Sequence, residues 1–277
     1  ALPISALSET APGGYQAWFG GVMSKVRRQQ ERPGWAWSLA VAIIKPVLLT
    51  CTRREWIHGE RIPASGGCII VANHISHFDP LALGHMLHDH GRVPRFLGKD
   101  TLFELPVLKH MLRNAKQIPV HRLSDGAAQA YTAAVKALQS GEMVMVYPEG
   151  SITKDPDGWP MRGKTGAAHL ALTTGCPVIP IGQWGAQEVL PPYTKDFHVI
   201  PPRTTTFIVG EPVDLVDLIG QDIDAEVLRT ATDRIMAAIT SLVEEARNAK
   251  APPLRFDPKE AGIGEIGRPD SGQESSS

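Results

Sequence analysis

Cysteine is scarce in this chain: three occur in 277 residues, Cys51, Cys68 and Cys176, each isolated in an apolar stretch. That excludes a disulfide framework and a Cys-x-x-Cys metal site, and it favours a reducing compartment. An excess of charge of either sign is missing too. The formal net charge is −1, so no global basic field speaks for nucleic acid, and any anion must be met by local cations. Long hydrophobic runs are absent as well. None reaches the ~18 uncharged apolar residues of a spanning helix; the nearest, Trp35 to Cys51, is interrupted by Lys45 and Pro46. Basic, apolar and small-residue regions do not follow one another at the start, as a secretory signal requires.

What is present is alternation. Apolar runs of strand length recur at 55–58, 67–72, 95–98, 117–121, 143–147, 178–182 and 205–209, separated by helical patterns at 79–90, 102–114, 124–139, 163–174 and 225–250. Ser124 is a natural N-cap with Gly141 just past that helix, and Gly175 closes the next one. The alternation predicts an α/β fold, a single mixed-sheet domain flanked by helices over residues 52–250, with functional groups beyond the carboxyl ends of the strands. Residues 1–51 are expected to form amphipathic helices that associate with a membrane. Tyr15, Trp18 and Phe19 beside Lys25, Arg27 and Arg28, followed by the apolar segment 35–51, have the composition of a helix in the membrane interface. A helix packed on the body fits that segment equally. Residues 251–277 read as a flexible tail.

Two strands run straight into dense polar groups. Cys68-Ile-Ile-Val-Ala72 is followed by Asn73-His74-Ile-Ser-His-Phe-Asp79, and Pro80 opens a helix. Histidine titrates near ~6.5 and can accept a proton at neutral pH. Across a tight strand-to-helix turn, Asp79 can fold back onto one ring nitrogen of His74 and leave the other as a general base. Asp79 can equally cap the helix, and the two roles are compatible. His77 reads as an accessory residue of the same loop.

The second such strand, Met143 to Tyr147, runs into Pro148-Glu149-Gly150-Ser151. Proline sharpens the turn, glycine lets backbone approach a ligand, and Glu149 stands at the strand's end, as a site carboxylate or an ordinary turn residue. Arg122 ends the run Ile118-Pro-Val-His121 just before Ser124, where a guanidinium suits a phosphate. Lys99 and Lys164 add cations, the latter beside a helix start. No metal-ligand cluster is visible, and no G-x-S-x-G elbow follows a strand.

Taken in order, these blocks resemble the glycerolipid acyltransferase family, which includes the 1-acylglycerol-3-phosphate O-acyltransferases. Its N-H-x4-D is matched by Asn73 to Asp79, its strand ending in arginine by the run up to Arg122, its F-P-E-G-T-R-S by Tyr147 to Thr153, and its V-I-P by Val178-Ile179-Pro180. The resemblance implies transfer of a fatty acyl group from acyl-CoA or acyl carrier protein to the free hydroxyl of a lysophospholipid acceptor. The first expectation is 1-acylglycerol 3-phosphate, giving phosphatidate in phospholipid biosynthesis; glycerol 3-phosphate, monoacylglycerol, another lysophospholipid or a glycolipid are the alternatives. A non-catalytic lipid-binding protein is the less favoured reading.

By the same resemblance His74 and Asp79 would be catalytic, and Glu149, Gly150, Ser151, Arg122, Lys99 and Lys164 would hold the acceptor. Glu149 would receive a hydrogen bond from an acceptor hydroxyl, and backbone amides of Ser76 to Asp79 would face the oxyanion. No cofactor or metal is implied. A peripheral or monotopic protein on the cytoplasmic face of the cell membrane is expected. One departure stands out: Ile152 occupies the position of the family's arginine, so a phosphate would fall to Arg122, Lys99, Lys164, Arg162 or Lys154.

Overall fold

The computed structural model describes residues 33–99, 117–120 and 124–264. Seven strands form within them: β1 (Thr52–Ile57), β2 (Cys68–Ala72), β3 (Pro94–Lys99), β4 (Ile118–Val120), β5 (Met143–Val146), β6 (Val178–Trp184) and β7 (Arg203–Val209). They build one sheet in the order β1-β7-β6-β2-β5-β3-β4. All neighbours are parallel except β6 and β7, so the sheet is mixed. The carboxyl ends of β2 to β6 therefore share one edge. Because β7 runs the other way with β1 beside it, Thr52 opposite Arg203 lies at that same edge.

Among the described residues six α-helices accompany the sheet: α1 (Trp35–Cys51), α2 (Asp79–Asp89), α3 (Ser124–Gln139), α4 (Gly166–Thr174), the four-residue α5 (Ala186–Val189) and α6 (Ala225–Arg247). The expected helix at 102–114 and the basic cluster at 25–28 lie outside the described residues. Alternation along the strands sorts side chains into two cores. Ile69, Val71, Val144 and Val146 point toward α3, α4 and α6, with Ala134, Leu170 and Ile239. Cys68, Ile70, Ala72, Met143 and Met145 point the other way, toward Leu48 of α1 and Leu83 and Leu87 of α2. Burial on both faces explains why β2 and β5 read as unbroken apolar runs.

Helix α1 rests on α2: Trp37 Nε1 donates to His88 Nδ1 at 3.2 Å, and Lys45 pairs with Asp89 at 2.5 Å. Its opposite face is another matter. Trp35, Leu39, Ile43 and Val47, four residues apart, are exposed, as are Ser38, Ala42, Pro46 and Thr50 between them. The single charge of the helix, Lys45, is spent on Asp89.

The expectation of a flexible tail from 251 is corrected over 251–264. Ala251 N–H donates to Glu244 Oε1 (2.9 Å), Arg162 N–H donates to Phe256 O (3.0 Å), and Lys154 Nζ donates to Gly264 O. Polar tethers hold this segment where its apolar content would not.

Candidate active site

The site starts where β2 stops. Asn73 is buried and locked to the end of β6: its Nδ2 donates to Gln183 O (3.0 Å), Gln183 N–H donates to Asn73 Oδ1 (2.9 Å), and Gln183 Nε2 donates to Asn73 O (2.5 Å). His74 follows with both of its backbone polar groups tied to the loop after β5. Its N–H donates to Glu149 Oε1 at 2.8 Å, and its carbonyl accepts from Thr153 N–H at 2.7 Å.

The imidazole is fixed by Asp79, the first residue of α2. His74 Nδ1 lies 2.8 Å from Asp79 Oδ2, and the same oxygen accepts from the amides of Ile75 (2.7 Å) and Ser76 (2.9 Å). The carboxylate thus turns back on the loop and does not cap its own helix. A carboxylate on Nδ1 selects the tautomer protonated there and leaves the lone pair on Nε2. Asp79 is fully buried and the His74 side chain is 15% exposed, so the pair is shielded on the aspartate side and open on the other. The Tyr147 ring stacks on the imidazole, 4.2 Å between centroids at 16°. His77 faces solvent, edge-on to Tyr193; partial burial and the neighbouring His74 push its pKa down.

Glu149 has a different place from the one expected. It is buried, with Oε1 accepting from His74 N–H and Oε2 accepting from Met161 N–H at 3.0 Å. Burial pushes its pKa up to about 8, against the pull of these two amides. Its carboxyl group fastens the loop at Met161 to the backbone of His74, so it acts on His74 through the main chain. The expected oxyanion donors are corrected for three of the four amides. Ser76 N–H goes to Asp79, Phe78 N–H to Ser76 Oγ, and Asp79 N–H to Ser76 O; the tight turn consumes these three.

Of the expected acceptor contacts, Gly150 and Lys164 come together. Gly150 has φ +74°, and a Cβ there would sit 3.1 Å from Lys164 Cε, so the lysine chain lies across the glycine. Lys164 is exposed, and its N–H donates to Pro148 O at 2.8 Å. Ser151 is half-buried with Oγ toward Ile152 O (3.2 Å), a carbonyl that also accepts from Tyr193 OH at 3.0 Å. Ile152 points into the core. Arg162 pairs with Asp257 at 2.6 Å, and Lys154 is buried against Gly264. Lys99 ends β3 at the site edge, opposite Val120; its side chain and Arg122 lie outside the described residues.

Sequence reasoning missed Gln183, Thr153 and Met161, which hold His74 in place. Gln183 alone carried a signal, as the one polar side chain in the strand Val178–Trp184. Thr153 and Met161 contribute main-chain amides, which any residue type supplies.

Comparison with known proteins agrees with this geometry. Residues 55–184 match the Acyltransferase family. An uncharacterized protein of Mycobacterium tuberculosis is 32% identical over 169 residues, 55% of this chain and 44% of its own length. The 1-acyl-sn-glycerol-3-phosphate acyltransferase of Borreliella burgdorferi is 31% identical over 123 residues, 44% of this chain and 47% of that one. The corresponding Bacillus subtilis protein is 27% identical over 131 residues, covering 46% and 60%. The chain thus spans less than half the length of the mycobacterial relative. Among solved structures, the 1-acyl-sn-glycerophosphate acyltransferase of Thermotoga maritima superposes with a TM-score of 0.56 over 78% of this chain and 84% of that one. At 22% identity that likeness is one of fold.

Proposed function

Because residues 55–184 match the Acyltransferase family, we propose that the chain moves a fatty acyl group from an acyl thioester to the free hydroxyl of 1-acylglycerol 3-phosphate, giving phosphatidate. The observation that carries this reading is the 2.8 Å contact of His74 Nδ1 with buried Asp79, which leaves Nε2 as the open nitrogen. In the proposed reaction Nε2 takes the hydroxyl proton as the acceptor oxygen bonds to the thioester carbon. The tetrahedral adduct then collapses, the C–S bond breaks, and the thiolate leaves with the proton returned by His74. Asp79 stabilises the imidazolium in between. The acceptor attacks directly, so no acyl-enzyme is formed.

Lys164 across Gly150 is the described cation that fits the phosphate, joined by Lys99 at the end of β3 and by Arg122, two residues past β4. Coenzyme A and acyl carrier protein both fit as carriers of the thioester, and no cofactor takes part. The exposed apolar face of α1 supports a membrane surface as the partner: it runs from Trp35 to Val47 without a charge, the composition of a helix in the lipid interface. Among the described residues no helix is long and apolar enough to cross a bilayer; the proposed attachment is monotopic or peripheral, on the cytoplasmic face where unpaired cysteines are stable.

A second reading keeps the chemistry and changes the acceptor. It is favoured by one observation, the burial of Ile152 where the family block carries arginine. The test is a labelled acyl thioester, carried by coenzyme A or by carrier protein, offered with a panel of acceptors. Label in the free position of 1-acylglycerol 3-phosphate is the expected product. No transfer to any phosphorylated acceptor would overturn the phosphatidate assignment.

A further inference from the structure

Behind the His74–Asp79 pair lies a group of polar atoms that the reaction has not used. Asp79 Oδ2 receives three hydrogen bonds, while Asp79 Oδ1 is buried with no partner. Gln183 Nε2 is spent on Asn73 O, which leaves Gln183 Oε1 buried and unpartnered, and the Tyr147 hydroxyl is in the same condition. The three belong together. The Tyr147 ring stacks on the imidazole that Asp79 holds, and Asp79 and Gln183 both act on the titration of its hydroxyl, which bonds to neither. Buried polar atoms in native proteins are almost always paired, and here two acceptors, Asp79 Oδ1 and Gln183 Oε1, and one hydroxyl, that of Tyr147, are left without a partner.

We propose that Tyr147 is a positioning residue of the His74–Asp79 pair, its ring setting the plane of the imidazole and its hydroxyl donating to the second oxygen of Asp79, directly or through one water. The assignment rests on the reading of His74 as the base. Two independent features carry it, the near-parallel ring stack at 4.2 Å and the buried, unpartnered Asp79 Oδ1 and Tyr147 hydroxyl on the two residues that hold the imidazole. Burial and the Asp79 charge hold the phenol well above its ordinary pKa, so it stays protonated and remains a donor. His74 is faced by Asp79 from α2, by Tyr147 and Glu149 from the end of β5, and by His77 from its own loop. Tyr147 is the member of that set that stacks on the ring face.

The test compares wild type, Tyr147→Phe, Tyr147→Leu and His74→Ala. Steady-state acyl transfer is measured together with the NMR signal of the His74 Nδ1 proton, identified by its loss in His74→Ala. Phenylalanine keeps the ring and removes the donor. It is expected to lower kcat roughly three- to tenfold, the scale of one hydrogen bond, with KM unchanged, and to move the Nδ1 proton downfield as Asp79 turns its full charge on the imidazole. Leucine, which also removes the stack, is expected to lower kcat further. Unchanged kcat or an unmoved proton signal in Tyr147→Phe would overturn the proposal. Full transfer by His74→Ala would overturn the base assignment instead, and the proton signal would still decide whether Tyr147 serves Asp79.

Discussion

The backbone of His74 is held on both sides, by the Glu149 carboxyl at its N–H and by Thr153 at its carbonyl, so the imidazole starts from a fixed root. Glutamine at 149 would aim an amide NH2 at one of two N–H donors, His74 or Met161, and lose that clamp. Glu149→Gln is expected to cost about 1–3 kcal/mol of stability, the scale for a buried group left unpaired, and to lower kcat more than KM; denaturant unfolding and steady-state kinetics check both. The carboxyl also links stability to pH. Burial raises Glu149 from 4.5 to about 8, so the folded chain keeps a proton that the unfolded chain has lost. The stability this gives is complete below about pH 4.5 and disappears as pH rises toward about 8. Unfolding at about pH 5.5 and pH 8.5 should show this decline in wild type and a smaller one in Glu149→Gln. At this scale the His74–Asp79 pair was legible, because a fixed spacing across a strand-to-helix turn constrains side chains. The task of Glu149 was not, because its partner Met161 is twelve residues on and contributes only an amide.

Strands β2, β5 and β6 were readable as elements because two-sided burial makes them near-continuous apolar runs. Helix α5 was not, since four residues carry no period. Close packing that depends on a missing side chain was also hidden: a Cβ on Gly182 would fall 2.5 Å from Leu242 Cβ and 2.8 Å from Val243 N. Gly182→Ala is therefore expected to push α6 away from β6 and destabilise the fold by about 1–3 kcal/mol. Because the next residue, Gln183, locks Asn73, part of the activity should go with it; thermal melting and kcat measure the two losses. On α1 the expectation is opposite in kind. Ile43→Asp with Val47→Asp changes only exposed positions, so stability should stay within ~0.5 kcal/mol. Binding to anionic vesicles, measured by flotation, should fall several-fold; undiminished binding would remove α1 as the attachment.

At the scale of the whole molecule, one sheet edge collects the residues of the proposed site. The ends of β2 and β5 bring His74, Asp79 and Glu149, and the loop after β5 adds Gly150 and Lys164. The start of β1, directly after α1, lies at that same edge opposite Arg203. An apolar helix joined to the site edge suits an acceptor drawn from a bilayer. The central claim is that His74 is the base for acyl transfer. It is tested most directly by comparing wild type with His74→Ala in single-turnover transfer from a labelled acyl thioester to 1-acylglycerol 3-phosphate. The account predicts a loss of ~100-fold or more, the usual contribution of a general base, with an unchanged melting temperature. Equal rates in the two folded proteins would contradict it.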